Sequence, residues 1–223
     1  MAIMVDSISQ SEESAEPGGV ELKRPVLLII AVFSRHSDAL SWAKQSLESS
    51  YGPVGLVSDP FSFHHTTYYA ETMGRELLKQ FLAFERLVPE DCLSATKRHT
   101  ILLEQKLIAE QRFEETRPVN IDPGILTLGK FLLATTKDQQ HRIYLRDGIF
   151  AEVTLKFQGG RFHLWPWTYA DYREPLLLEW LLEAREFYKG RLADYRRRQD
   201  HTDKAQLQEL LELADPTDPI DDL

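Results

Sequence analysis

The chain contains one cysteine, Cys92, so no internal disulfide braces it and packing alone must hold the fold. A lone thiol also fits a reducing compartment, and a cytoplasmic location is expected. No apolar run approaches the ~18 residues that cross a bilayer; Val26–Phe33 has only eight. The first residues are acidic and polar, which predicts no secretory signal. No stripe of lysine and arginine marks a nucleic-acid surface, and Arg196-Arg197-Arg198 alone suits the C-terminal end of a helix. There is no internal repeat. No Ser-His-Asp or Cys-His pairing suggests a nucleophile with its base. His64 and His65 are adjacent and cannot easily share one metal ion, with no third ligand at a useful spacing. No metal site is expected, and no cofactor is named by the sequence.

What is present is a near-neutral body between two acidic ends. The formal charge is −9, but residues 1–24 hold −3 and residues 200–223 hold −7, leaving about +1 for residues 25–199. Residues 1–24, rich in Ser and Glu around a Pro-Gly-Gly, are expected to be disordered, and 200–223 to form a mostly flexible tail with one helical turn in Leu207–Leu213. With 43% hydrophobic residues, 25–199 suffices for one α+β domain.

The order of elements follows from local patterns. Val26–Phe33 is continuously apolar and predicts a central buried strand. Ser37-Asp38 caps a helix to about Ser49, with Ala39, Trp42, Ala43 and Leu47 inward. Val54–Phe61 is a second strand cut by Asp59-Pro60, and Phe63–Gly74 is a loop with one helical turn. Leu77–Val88 satisfies helix and strand periods alike, with strand favoured for its second half. Pro89–Gln111 is a helix burying Leu93, Ile101, Leu102, Leu107 and Ile108. Pro118–Pro123 is a short strand, and Ile125–Thr135 is open between helix and strand. This is the ferredoxin-like β-α-β-β-α-β order, followed by an antiparallel meander and a C-terminal helix from Pro175 to about Arg198. That last helix carries Leu177, Trp180, Leu181, Ala184, Tyr188, Leu192 and Tyr195 on one stripe.

The meander at Gln140–Trp167 concentrates the ionisable groups. A three-residue loop at Arg146-Asp147-Gly148 is favoured over a two-residue Asp-Gly turn, because it pairs Leu145 with Ile149, Ile143 with Ala151 and His141 with Val153 on one apolar face. Gly159-Gly160 then turns a second hairpin, adding Leu155, Phe157, Phe162 and Leu164 to that face. The reverse face collects Arg142, Tyr144, Glu152, Thr154, Lys156, His163 and Trp165. Either that face is a solvated sheet surface with an Arg142–Glu152 pair, or it floors a cleft.

Two stretches approach nucleotide motifs without completing them. Gly124–Phe131 has the spacing G-x-x-x-x-G-K but ends in Phe131, which cannot ligate Mg²⁺, and its bulky residues obstruct a phosphate-wrapping backbone. Thr136-Lys137-Asp138 places its acid one residue early for guanine recognition.

Several blocks in one order resemble the uncharacterised bacterial family catalogued as domain of unknown function 4416. They are Phe63…Thr66…Tyr68-Tyr69…Met73-Gly74, Val119–Gly124, Ala134–Asp138, His141–Leu145, Glu152–Leu155 and Pro166–Tyr169 with Asp171-Tyr172-Arg173. The resemblance spans roughly Val26 to Tyr188 and implies no established activity, although members are sometimes labelled GTP-binding.

The leading expectation is a pocket for a small anionic or phosphorylated molecule. Its ligand-binding candidates are Arg142, Lys156, Lys137, Tyr144, Asn120, Thr154, Trp165, Tyr169, Tyr68 and Tyr69, and Glu152, Asp122 and His141 are candidate acids or bases. The rivals are a non-catalytic interaction module, with the meander and last helix binding a partner or a second copy, and a GTP-binding protein.

Overall fold

A computed structural model describes residues 25–63 and 69–213, with side chains to residue 199. The amino-terminal acidic segment, and the site candidate Tyr68 with His64 and His65, lie outside the described residues. Among those described, the strands are β1 (Pro25–Ser34), β2 (Val54–Val57), β3 (Phe61–Phe63), β4 (Leu77–Phe84), β5 (Val88–Pro89), β6 (Asn120–Leu126), β7 (Lys130–Thr135), β8 (Ile143–Arg146), β9 (Ile149–Gln158) and β10 (Arg161–Leu164). The helices are α1 (Ser37–Tyr51), α2 (Ala70–Met73), α3 (Leu93–Ala109) and α4 (Pro175–Leu213). One antiparallel sheet runs in the order β10-β9-β7-β6-β1-β4-β2. Its β6-β1-β4-β2 portion is the ferredoxin-like arrangement, and the meander widens it beyond β6. The fold is α+β, as its element order implies.

The apolar run of β1 is buried over nearly its whole length because helices cover both sheet faces. Leu28, Ile30 and Val32 pack against Ala39, Ala43 and Leu47 of α1 and Leu107 of α3. Leu27, Ile29 and Ala31 pack against Leu177, Trp180, Leu181, Ala184 and Tyr188 of α4. Burying a side chain of this size contributes about 1.5–3 kcal/mol, so β1 is the spine of the structure. Helix α4 lies where a bare ferredoxin-like sheet would be open. It continues to Leu213, past the stop expected near Arg198.

Three expectations change on the structure. First, the inner stripe of α3 is Leu93, Lys97, Thr100, Glu104 and Leu107, while Leu102 and Ile108 are exposed. Two charged residues therefore occupy core-facing positions. Second, the β8–β9 turn is the two-residue form: Asp147 and Gly148 both have positive φ, and Arg146 pairs with Ile149. A bulge at Leu145 absorbs the extra residue, so Ile143↔Ala151 and Tyr144↔Phe150 still pair. His141 precedes the strand and does not pair with Val153.

Third, Thr154 forms a bulge in β9. Phe131 pairs with Leu155 and Leu132 with Val153, leaving Thr154 without a partner. An extra residue reverses the alternation beyond it. Leu155 thus shares a side with Glu152, which pairs with Leu133, whereas Ile149 and Ala151 pack on the opposite side with Val26 and Leu93. The single apolar face expected for the meander is two half-faces. Its second hairpin has the expected register, Phe162↔Phe157 and Leu164↔Leu155.

Candidate functional site

The site opens where the sheet divides. Strands β6 and β7 pair only from Gly124↔Leu133 to Leu126↔Phe131. Beyond Gly124, β6 stays on β1 as far as Asn120↔Phe33, and β7 stays on β9 as far as Thr135↔Phe150. Pro123, with no amide hydrogen to offer a ladder, stands at the fork. Gly124 is needed at its vertex, because a Cβ there would lie 2.5 Å from the Leu132 carbonyl oxygen and 2.7 Å from Phe131 Cζ. A cavity of about 420 Å³ fills the opening, walled by Phe33, Phe63 and Tyr69 on one side and Leu133 to Lys137 on the other. Between the fork and α4, the 3-10 turn Ala170–Arg173 contributes Asp171 and Tyr172.

That turn is tied to the Thr154 bulge. The Thr154 carbonyl, out of the ladder, accepts the Thr168 hydroxyl at 2.7 Å; Thr168 Oγ1 in turn accepts the Trp165 N–H at 2.8 Å. Trp167 Nε1 donates to the Val153 carbonyl at 3.0 Å. The irregularity that defeats the two-residue period is thus the anchor of one cavity wall.

Three charge clusters line the cavity or stand behind it. At its base, Lys79 Nζ lies 2.5 Å from Asp171 Oδ2, with both side chains almost fully buried. The ammonium also sits 4.8–5.3 Å from the ring centroids of Phe33, Phe63, Phe81 and Tyr172. From the α3 side, Lys97 reaches into the fork and donates to Asp122 Oδ1 at 2.8 Å and the Ile121 carbonyl at 3.1 Å. Asn120 donates to the other Asp122 oxygen at 2.7 Å and accepts a short bond from Arg117. Arg117 forks onto Glu104 at 2.7 and 3.1 Å, and Glu104 accepts the Ile121 N–H at 2.8 Å. Burial works to raise the Asp122 carboxyl, but Lys97, then Lys79, and the Lys97 and Asn120 hydrogen bonds more than offset it and hold it below its ordinary value. For Glu104 burial wins over Arg117 and Lys97, and its carboxyl is pushed up.

The third cluster is on the meander side. Arg142 Nε donates to Glu152 Oε2 at 2.8 Å, and the two side chains are 2% and 1% exposed. Arg142 also donates to the Lys137 carbonyl at 2.9 Å and to the Tyr169 hydroxyl. His141 Nε2 lies 3.3 Å from the same Glu152 oxygen, and its ring stacks on Trp167. Burial, then Glu152, pushes the Tyr169 hydroxyl up to about 12, with Arg142 opposing.

Of the residues singled out from the sequence, the cavity gathers Glu152, Asp122, Asn120, Lys137, Tyr169 and Tyr69. Arg142 stands behind it as a clamp on Glu152, Lys137 and Tyr169. His141 touches Glu152 from a shallow depression shared with Trp167. Four others lie outside. The bulge turns Lys156 to the side opposite Glu152, where it sits over the Trp165 ring at 5.4 Å. Trp165 stacks on Trp167, buried Thr154 bonds Glu152, and Tyr144 is exposed against Phe150 on β8. Neither Lys79, Lys97, Arg117 nor the Glu104 behind them was singled out, nor were Asp171 and Tyr172 beyond the family blocks. A signal existed for two of them, because Lys97 and Glu104 fall at 4- and 3-residue steps between Leu93 and Leu107 on α3.

Among the described residues no cluster of His, Cys, Asp or Glu fits a metal ion. No helix among them is long and apolar enough to cross a membrane. The stretch 124–130 is the end of β6 and a tight turn into β7, with Thr127 Oγ1 accepting the Gly129 and Lys130 N–H groups, and not a loop opening a helix. No curated protein and no solved structure matches the chain. The family model described as Domain of unknown function (DUF4416) matches residues 24–188, most of the chain, and the protein belongs to that family.

Proposed function

We propose that this protein binds a small anionic molecule in the β6–β7 fork. The observation that carries the reading is the convergence of Lys79, Lys97, Arg117 and Lys137 on one cavity of about 420 Å³, a volume within the roughly 300–1,000 Å³ of small-molecule sites. Acids behind or beside Lys79, Lys97 and Arg117 fix these cations before any ligand arrives, which lowers the ordering cost of binding. Asp122 and Glu152 also face the cavity and are the groups able to exchange protons with a bound molecule. A cytoplasmic setting suits the single cysteine.

Thermal-shift screening of the full chain against carboxylates, sugar phosphates and nucleotides tests this. A ligand at about 100 times its Kd adds about 2.7 kcal/mol of stability. Lys97→Met should abolish the shift and leave the circular dichroism spectrum intact, since its partner Asp122 retains contact with solvent. A hit unaffected by Lys97→Met and Lys137→Ala would place binding elsewhere.

A second reading rests on β8. Among the described residues its outer edge is unpaired, and its Ile143 and Tyr144 are 72% and 58% exposed, which suits an interface with a partner or a second copy. The apolar stripe of α4 from Leu177 to Tyr188 is used within the chain and gives this reading no support. Sedimentation of wild type and Ile143→Asp tests the second-copy form: a dimer lost on substitution favours it, and a monomer in both removes self-association through β8.

A further inference from the structure

The sheet ends at β10 with an open edge. Among the described residues nothing pairs with the outer side of β10, the last strand of the order β10-β9-β7-β6-β1-β4-β2. Along an antiparallel strand, pairs that exchange backbone bonds alternate with pairs that do not. Phe157 donates its N–H to the Gly129 carbonyl at 2.7 Å, away from β10, so Phe157↔Phe162 is a pair that exchanges none. The N–H and C=O of Phe162 therefore point outward from the sheet, and those of Leu164, two residues on, do the same.

One side of this edge is basic. The Thr154 bulge re-aims Lys156 to the side opposite Leu155, and its cross-strand partners are Lys130 on β7 and His163 on β10. Directly opposite residues share a side, so three basic residues stand in one row across strands ~4.8 Å apart. Arg161, two residues before His163, is on that side too. Lys156 bonds the Gln158 side chain and His163 the Gln158 carbonyl, and none of the four meets a carboxylate among the described residues. Like charges set directly opposite one another, as Lys130 and Lys156 are, are unfavourable until an anionic group joins them. The other side of the edge is apolar: Phe162 packs into the core, and Leu164 is 41% exposed.

A strand laid antiparallel on β10 sets alternate side chains opposite Arg161 and His163, about 7 Å apart, and those between them opposite Phe162 and Leu164. Acidic residues at the first positions and apolar residues at the second complement both sides. A second copy of β10 does not, because pairing about Phe162 would face Arg161 with His163 at both ends. Single-stranded nucleic acid needs ring faces on which bases stack, and the Trp165 ring is taken up by Lys156 Nζ at 5.4 Å and by Trp167 at 5.1 Å.

We infer that the β10 edge captures an extended segment of a partner protein in which acidic and apolar residues alternate. Main-chain bonds to Phe162 and Leu164 supply affinity, and Arg161, His163 and Lys156 select the acidic side chains. This surface lies apart from the fork and uses no residue that lines its cavity.

Fluorescence anisotropy of the full chain with a labelled peptide of alternating glutamate and valine tests the inference. That peptide should bind, and one with the same residues in separate blocks should bind at least ~10-fold more weakly. Methylating its valine nitrogens, which removes the main-chain donors facing β10, should also weaken it at least ~10-fold. Arg161→Glu, at an exposed side chain, should do the same with an unchanged circular dichroism spectrum. Equal affinity for the alternating and block peptides, or indifference to valine methylation, would overturn the strand pairing. Affinity indifferent to Arg161→Glu would overturn the placement. Tighter binding to oligothymidylate or to phosphatidylserine vesicles would overturn the partner class. Failure of the alternating peptide to bind at millimolar concentration would overturn the whole inference.

Discussion

The Lys79–Asp171 pair should cost the fold more to half-remove than to remove entirely. Its two side chains are 4% and 6% exposed and 2.5 Å apart, so either partner left alone is a charge in a nearly dry setting. Breaking such a pair costs about 3–5 kcal/mol. For a domain of this size that is roughly 6–20 °C in Tm. Lys79→Met and Asp171→Leu should each fall in that range in urea denaturation. The double variant should return to within about 1 kcal/mol of wild type, or exceed it, because apolar replacements of buried ion pairs are often neutral or stabilising. Methionine suits the lysine position because four rings surround Lys79 Nζ and a thioether packs favourably against aromatic faces. The cycle should give a coupling of about 3 kcal/mol or more. Single substitutions costing under about 1 kcal/mol would mean that the pair is solvated, and a double variant costing the sum would mean that the two residues do not interact. A pair that stability does not require, kept at the base of a cavity, is what a binding role predicts.

Other outcomes follow from the same geometry. Gly124→Ala should lose about 1–3 kcal/mol through the clash at the fork vertex, while Gly129→Ala, with nothing within 4 Å of the added carbon, should stay within about 0.5 kcal/mol; equal effects in denaturation would remove the close-approach argument. Arg142→Met should destabilise by about 3–5 kcal/mol by stranding Glu152, and should raise the protease sensitivity of the Thr135–Asp138 segment it clamps; a loss below about 1 kcal/mol would refute the clamp. For pH, the folded Asp122 carboxyl lies below its ordinary 3.8. Its contribution is therefore complete above 3.8 and is lost as pH falls through the lower folded value. The stability gap between wild type and Asp122→Asn should be constant at neutral pH and close on acidification. A gap that widens on acidification would give the shift the opposite sign.

The parts of the fold readable from sequence are those where one signal dominates. Val26–Phe33 has no polar residue to exchange with solvent and reads only as a buried strand. The ferredoxin-like order then follows from turn and helix signals on either side. Leu77–Phe84 is ambiguous by period because helices cover both sheet faces, so β4 alternates only weakly over Leu77–Gln80 and is buried throughout Phe81–Phe84. The meander misled through single residues: an unpaired Thr154 reversed everything after it, and a bulge at Leu145 let a two-residue turn preserve pairings that argued for three. For the site, Asn120, Asp122, Lys137, Glu152 and Tyr169 were visible as polar residues in blocks shared with the family. Lys79 was not, because a lysine in an apolar run is a buried charge only once its segment is known to be a strand. Lys97 and Glu104 were hidden by placing the inner stripe of α3 on Leu102 and Ile108.

A crystal structure of the protein soaked with its most stabilising compound tests the central claim most directly. The account predicts density in the β6–β7 fork, with an oxygen of the compound within hydrogen-bonding distance of at least one of Lys79, Lys97, Arg117 and Lys137. Density bound elsewhere, with the fork holding only water, would contradict it.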